Sequence, residues 1–274
     1  MSHPSAAAWV RAEVWRDTLL DAARRLAPLG IELMAIKGVY FVHALGVGAS
    51  ERPMADADAI VVRGDFDRAV KALVSSGEWL DAHGWSAKVL PRKRGGMLDI
   101  HRIPLPPFFG AMHASEMKRR AARHPAFDDL VWVPDALDAG CIATAHYIKD
   151  CLGLREGKGN LAQDLDLLVD RAGVTPRGLA ERLAHHRLRN VGLVAFTALT
   201  EVEQRWQPWV TALDPSSRER LRARATVRVL RRYTGAHPDL AYLLVRSLGD
   251  DAGRGLVGFV ATAARFGRDR ISSP

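Results

Sequence analysis

The sequence predicts an α+β fold, in which a mixed β-sheet with flanking helices is followed by an α-helical C-terminal domain. Short apolar runs typical of strands alternate with helical patterns over roughly the first 110 residues. A proline-rich segment at residues 104–110 then interrupts the pattern, because proline fixes φ and cannot donate a hydrogen bond to a neighbouring strand. Beyond it the periodicity is almost entirely helical. We therefore predict an α/β domain over residues 1–110 and a helical domain over residues 111–274.

In the first domain, apolar residues at helical spacing predict helices, and short apolar runs bounded by glycine, proline or polar residues predict strands. The predicted helices cover residues 6–27, 39–45 and 65–75. The predicted strands cover residues 31–36, the segment around Asp56 and Asp58, and residues 82–90 and 97–103. A basic turn at residues 91–96 joins the last two strands as a hairpin.

The second domain is predicted from helical periodicity. The predicted helices cover residues 135–152, 160–172, 176–186, 190–205, 216–233, 237–248 and 253–266.

Two carboxylates lie two residues apart where an apolar strand begins. Because successive side chains of an extended backbone alternate between faces, Asp56 and Asp58 project from the same face, about 6.5 to 7 Å apart. Two like charges at this separation repel each other unless a divalent cation neutralises both, and carboxylate oxygens are ligands that suit Mg²⁺ or Mn²⁺. A single aspartate at a strand entrance is ordinarily part of a turn, but a pair on one face favours a metal site.

A third carboxylate, Asp99, lies on a later predicted strand, where His101 shares its face. Two carboxylates on one strand and a third on another are the arrangement that a two-metal phosphoryl-transfer site needs. We therefore predict that Asp56, Asp58 and Asp99 bind metal and are catalytic. His101 either orients this site or is a hydrogen-bonded packing residue.

Two basic residues precede the aspartates. Lys37, with the backbone amide of Gly38, lies where a helix is predicted to begin, and its charge together with the helix dipole suits a phosphate. Arg52 either clamps a phosphate or pairs with Asp56, since a guanidinium can form two parallel hydrogen bonds with either group.

Taken together, these segments resemble the uncharacterised nucleotidyltransferases of the DNA polymerase β-like superfamily. That family is recognised by a Leu/Ile-Lys-Gly motif, an Arg-Pro-x-x-Asp-x-Asp strand and a later apolar-Asp-x-His strand. The matching segments are Ile36-Lys37-Gly38, Arg52-Pro53-Met54-Ala55-Asp56-Ala57-Asp58 and Leu98-Asp99-Ile100-His101. A helical His-then-Asp pattern of the family is matched by His146 and by Asp164 or Asp166, so the resemblance spans roughly residues 30–200. It implies a minimal nucleotidyltransferase sheet followed by a helical bundle, with the three aspartates as catalytic metal ligands.

Composition is that of an ordinary globular protein, with 48 % hydrophobic and 26 % charged residues. Two cysteines without a CxxC pair indicate neither a zinc site nor a disulfide framework. No window approaches the ~18 apolar residues of a membrane helix, so we expect a cytoplasmic protein with no membrane partner. The net charge of +8 comes mostly from arginine, including seven arginines within residues 218–232. This basic segment either meets phosphates or an acidic partner, or is a solvated helix face.

Two hypotheses from different classes follow. The first is a metal-dependent nucleotidyltransferase that moves a nucleoside monophosphate from an NTP, with ATP expected, to a hydroxyl or phosphate of an acceptor, releasing pyrophosphate. In it the three aspartates hold Mg²⁺ or Mn²⁺, and the nucleotide is bound by Lys37, Gly38, Arg52 and His101. The acceptor is a small molecule, peptide, protein or RNA; nucleic acid is not favoured, because the basic segment lacks interleaved aromatic residues. The second hypothesis is a non-catalytic scaffold that binds nucleotide or regulates a partner.

Overall fold

The computed structural model describes residues 6–80, 87–106, 109–150, 152 and 161–236. It divides into two compact units. The first, which we call the sheet unit, consists of Met1–Pro104 and Met112–Ala139. The second, the helical unit, consists of Leu105–Ala111 and Gly140–Pro274. The predicted fold class, a mixed sheet with flanking helices and a helical C-terminal region, is confirmed.

In the described part of the sheet unit, six strands form one sheet. They are β1 (Glu32–Ile36), β2 (Ala57–Arg63), β3 (Ala87–Pro91), β4 (Met97–His101), β5 (Ala122–Arg123) and β6 (Trp132–Val133). Their order in the sheet is β3-β4-β2-β1-β6-β5. β2 pairs with β1 in the antiparallel and with β4 in the parallel direction. The sheet is therefore mixed, and all but the last residue of β2 are buried.

Among its described residues, this unit contains four complete helices. They are α1 (Ala6–Leu26), α2 (Lys37–Val39), α3 (Phe66–Ser75) and α4 (Ala114–Arg120). α1 packs against α3 and against β2 and β4. Asp65 caps α3, because its carboxylate accepts a hydrogen bond of 2.7 Å from the backbone N–H of Arg68. The helices predicted over residues 6–27 and 65–75 are confirmed, whereas the run predicted over residues 39–45 is the short α2 followed by the π-helical turn Tyr40–Ala44.

The predicted hairpin is confirmed, since β3 and β4 pair in the antiparallel direction. β4 ends at His101, two residues before the predicted end, and the predicted residues 82–86 lie outside the described residues. The connecting turn closes with a hydrogen bond of 3.0 Å from the N–H of Arg92 to the carbonyl of Gly96. Gly96 has φ +99°, and a Cβ at this position would lie 2.1 Å from the Thr18 Oγ1 of α1. Only glycine therefore fits this turn against α1.

The strands β5 and β6 were not predicted, because two residues are too few for a periodic pattern. Two cations beside a single carboxylate of β1 hold β5 and β6 to that strand. Arg123 donates a hydrogen bond of 2.8 Å to Glu32, and Lys118 contacts the same carboxylate. Both cations also lie over the Trp132 ring, at 4.7 and 4.9 Å from its centroid. Residues 112–139 thus belong to the sheet unit, whereas the domain boundary predicted from the sequence lies at residue 110.

The helical unit contains most of α5 and all of α6 to α10. These helices are α5 (Ala136–Lys149), α6 (Leu161–Ala172), α7 (Pro176–His185), α8 (Arg189–Thr200), α9 (Gln207–Ala212) and α10 (Ser217–Ala236). α8 is buried continuously from Val191 to Leu199, as a helix surrounded by others requires. The helices predicted over residues 237–248 and 253–266 lie outside the described residues. Within the described part of the chain, no helix has the length and apolarity needed to cross a membrane.

Candidate functional site

The register of the sheet unit brings four predicted site residues together. Asp58 on β2 is the partner of Asp99 on the parallel neighbour β4, and His101 lies two residues after Asp99 on the same face. On the other side of β2, Asp58 pairs with Ile36, the last residue of β1. Lys37 follows directly and therefore lies beside the same carboxylate. We call Lys37, Asp58, Asp99 and His101 the carboxylate cluster.

One oxygen of Asp58 is the centre of this cluster. The Lys37 Nζ lies 2.5 Å from Asp58 Oδ1, and the His101 Nε2 lies 3.0 Å from the same atom. The His101 Nε2 is also 3.2 Å from Asp99 Oδ2, so the imidazole bridges the two carboxylates. Asp58 and His101 are buried, whereas the side chains of Lys37 and Asp99 are 22 % and 18 % exposed. A ligand from solvent would therefore meet Lys37 and Asp99 first.

Mutual attraction shifts the pKa of three groups of the cluster towards their charged forms. Burial lowers the pKa of Lys37, but attraction to Asp58 and Asp99 outweighs it and raises the pKa above its ordinary value. Burial likewise raises the pKa of Asp58, but Lys37 and His101 hold it well below its usual range. For His101, burial and the Lys37 ammonium lower the pKa, and the two carboxylates raise it by more. Lys37 and Asp58 thus form a buried ion pair.

The cluster fits a hard divalent cation. Asp58, Asp99 and His101 each offer one ligand atom, and these atoms lie within 4.8 Å of one another. The Asp99 Oδ1 is buried and has no hydrogen-bond partner in the described part of the chain, so a carboxylate oxygen remains available for a ligand. Two carboxylates favour Mg²⁺ or Mn²⁺ over softer metals.

Asp56 lies one residue before β2, whereas the prediction placed it on the strand itself. It is half-buried, and its negative charge is close enough to contribute to the raised pKa of Lys37. Among the described residues, the group of ligand atoms within 4.8 Å of one another does not include Asp56. The structure therefore brings Asp58 and Asp99 together directly, and the charge of Asp56 acts on Lys37.

The turn that carries Lys37 is strained and tightly packed. Lys37 has φ +53°, a left-handed conformation that costs a residue other than glycine about 1–3 kcal/mol. The next residue is Gly38, where a Cβ would lie 2.5 Å from the Cγ of Met54. Met54 precedes the strand that carries Asp58. In the Lys-Gly motif, the lysine thus places its ammonium group beside Asp58. The glycine lets the backbone pack closely against the Arg-Pro segment.

Gly38→Ala is expected to lower the free energy of unfolding by about 1–3 kcal/mol, because Met54 must move to admit the methyl group. Urea denaturation measures the change. Gly48→Ala is the matched control, since a Cβ there would meet only the flexible end of Glu51. Equal changes in the two variants would contradict this account of the motif.

Arg52 is half-buried and lies over the Phe41 ring, with its Cζ 5.8 Å from the ring centroid. Its Nη1 donates a hydrogen bond of 3.1 Å to the carbonyl of Pro53. Its role in binding phosphate stays a prediction.

The two aspartates of α6 differ in environment. Asp164 is buried, whereas Asp166 accepts hydrogen bonds of 2.7 and 2.9 Å from exposed Arg205. Asp166 thus forms an ion pair at the surface of the helical unit. The match of Asp164 or Asp166 to the His-then-Asp pattern stays a prediction.

The chain was compared with family models, curated sequences and solved structures, and the family match covers the segments that carry these motifs. A family model described as "Uncharacterised nucleotidyltransferase" matches residues 2–198. Among solved structures, the chain is similar to an antigenic nucleotidyltransferase-like protein from Paracoccidioides brasiliensis, at 12 % identity and a TM-score of 0.38. That similarity covers 73 % of this chain and 93 % of the other. No curated protein sequence matches significantly. The family match includes every strand of the sheet and reaches into α8.

Proposed function

The chain belongs to a family of uncharacterised nucleotidyltransferases, and from this premise we propose that it transfers a nucleoside monophosphate in a metal-dependent reaction. The donor is an NTP, with ATP expected, and the acceptor carries a hydroxyl or phosphate. The observation that carries the proposal is the pair of adjacent carboxylates, Asp58 and Asp99, with the buried Asp99 Oδ1 left unpartnered in the described part of the chain. Buried polar oxygens ordinarily have a hydrogen-bond partner, so this oxygen is available to a ligand.

Asp58 and Asp99 would hold Mg²⁺ or Mn²⁺, and Asp56 would add negative charge beside them. When bound, the metal would neutralise charge on the triphosphate and activate the attacking oxygen. His101 would keep the two carboxylates in position, because its Nε2 lies 3.0 and 3.2 Å from them.

In the transfer, an acceptor oxygen forms a bond to the α-phosphorus while the bond from that phosphorus to the α–β bridging oxygen breaks, so pyrophosphate leaves. The proton of a hydroxyl acceptor would pass to the Asp99 carboxylate and then to solvent. Lys37 carries the charge that would bind the triphosphate. In this role its ammonium would break its contact with Asp58 and bind a phosphate oxygen instead.

Metal removal tests the proposal directly. The protein is incubated with each α-³²P-labelled NTP and a cell lysate as acceptor source, and pyrophosphate release and label transfer are followed. We expect transfer with Mg²⁺ or Mn²⁺, its loss on addition of EDTA, and its return when excess Mg²⁺ is added. Transfer that is insensitive to EDTA, or none with any nucleotide and metal, would contradict the proposal.

One observation favours the alternative of a non-catalytic scaffold: the Lys37 ammonium neutralises Asp58 as a metal ion would. In that case NTP would bind equally well in EDTA and would not be turned over. Isothermal titration of ATP with and without Mg²⁺ separates the two functions.

A further inference from the structure

A polar cavity of about 490 Å³ lies within the helical unit. Its walls come from α8, α9, α10 and the connection between α8 and α9. This volume is within the range of small-molecule sites, roughly 300–1,000 Å³. The side chains that determine its charge and hydrogen-bonding capacity are Glu201, Gln204, Gln207, Arg220, Arg224 and Arg228.

Three arginines of α10 line this cavity in one row. Arg220, Arg224 and Arg228 are four residues apart, so they lie on the same side of the helix and about 6 Å from one to the next. Like charges at this spacing destabilise a helix. Arg220 donates a hydrogen bond of 3.1 Å from its Nε to the carbonyl of Pro215. Arg224 and Arg228 have no hydrogen-bond or ion-pair partner in the part of the chain that the structure describes.

Other arginines of the helical unit are paired with carboxylates. Arg231 contacts Glu201 at 2.8 Å, and Arg205 contacts Asp166 at 2.7 Å. The pair of Arg231 and Glu201 determines the net charge of the cavity. Glu201 is an acidic residue on the cavity wall, but Arg231 already neutralises its charge. The row on α10 therefore leaves the cavity with a positive charge.

We propose that this cavity binds a small phosphate-bearing anion. Guanidinium groups match phosphate oxygens through parallel N–H donors, and two of the three are available for such a ligand. The side-chain amides of Gln204 and Gln207 can donate further hydrogen bonds. Among the described residues that line the cavity none is aromatic, which favours a small anion over single-stranded nucleic acid, since the latter binds largely by base stacking.

This site does not depend on nucleotidyl transfer, so it is tested by binding in EDTA, with turnover playing no part. Inorganic pyrophosphate is titrated calorimetrically into the full chain and into Arg224→Gln/Arg228→Gln. We expect the double variant to bind pyrophosphate at least about tenfold more weakly, and the affinity of the unmodified protein to fall as salt is raised. Circular dichroism confirms that each variant is folded.

The matched control is Arg218→Gln/Arg222→Gln, which removes the same charge from positions of the same helix that do not line this cavity. Each of these two arginines is two residues away from an arginine of the cavity row. It therefore lies about 200° from that arginine around the helix axis. Unchanged pyrophosphate affinity in this control supports the site. Equal losses in both double variants would show general charge attraction and overturn the proposal. The proposal is also overturned if a short oligoribonucleotide binds through Arg224 and Arg228 while pyrophosphate does not.

Discussion

Asp99→Asn is expected to lower the rate of nucleotidyl transfer at least about 10³-fold, which corresponds to about 4 kcal/mol of transition-state stabilisation. The substitution keeps the shape of the side chain but removes its negative charge and its role as proton acceptor. It should also lower the free energy of unfolding by about 1–3 kcal/mol, because the contact of 3.2 Å between the Asp99 Oδ2 and the His101 Nε2 loses its charged partner. Label transfer from the NTP and urea denaturation measure the two quantities.

Two further variants make this result specific. Asp67→Asn removes an exposed aspartate that pairs with Arg102 at 2.6 Å, and it should change neither quantity appreciably. Asp58→Asn should abolish transfer and also destabilise the protein, because Lys37 and His101 lose the carboxylate between them. Full activity in Asp99→Asn would remove Asp99 from the mechanism and with it the proposed function.

Lys37→Met is expected to lower the free energy of unfolding by about 3 kcal/mol, because it leaves the buried Asp58 carboxylate without its ammonium partner. Since Mg²⁺ and Lys37 would neutralise the same carboxylate, Mg²⁺ should raise the thermal midpoint of Lys37→Met more than that of the unmodified protein. Thermal denaturation with and without Mg²⁺ measures the difference. A smaller Mg²⁺ response in the variant would show that the metal and the ammonium do not compete.

Lys37→Gly separates the charge from the backbone strain at this position. Glycine adopts φ +53° freely, so this variant should be about 1 kcal/mol more stable than Lys37→Met while lacking the same cation. Lys71→Met on the exposed side of α3 is the control for loss of a positive charge. Equal stabilities of the two Lys37 variants would contradict the account of strain.

Much of the sheet unit could be predicted because its elements follow local rules. The long periodic pattern of α1, the cap at Asp65 and the glycine-containing turn before β4 are each determined by a few neighbouring residues. The shared face of Asp99 and His101 likewise follows from the alternation of side chains in a strand.

The remaining features depend on which strands are neighbours, and a single sequence does not state this. The contact of Lys37 with Asp58 results from the antiparallel register of β1 and β2, in which Ile36 is opposite Asp58. Asp58 and Asp99 meet only because β4 is parallel to β2. The cavity of the helical unit combines side chains from helices separated in sequence, so the arginines of α10 gave only an ambiguous basic pattern. Prediction of the Lys37–Asp58 contact would have required both the strand order and the register of β1 against β2.

The position of Lys37 also bears on the order of folding and metal loading. When β1 pairs with β2, the ammonium group arrives beside Asp58 as part of the same event, so the carboxylate is buried with its own counter-ion. Many metal sites instead need the ion before the chain becomes stable. The sheet can therefore assemble with this carboxylate already paired, and in the proposed function the metal would be acquired later, together with the nucleotide.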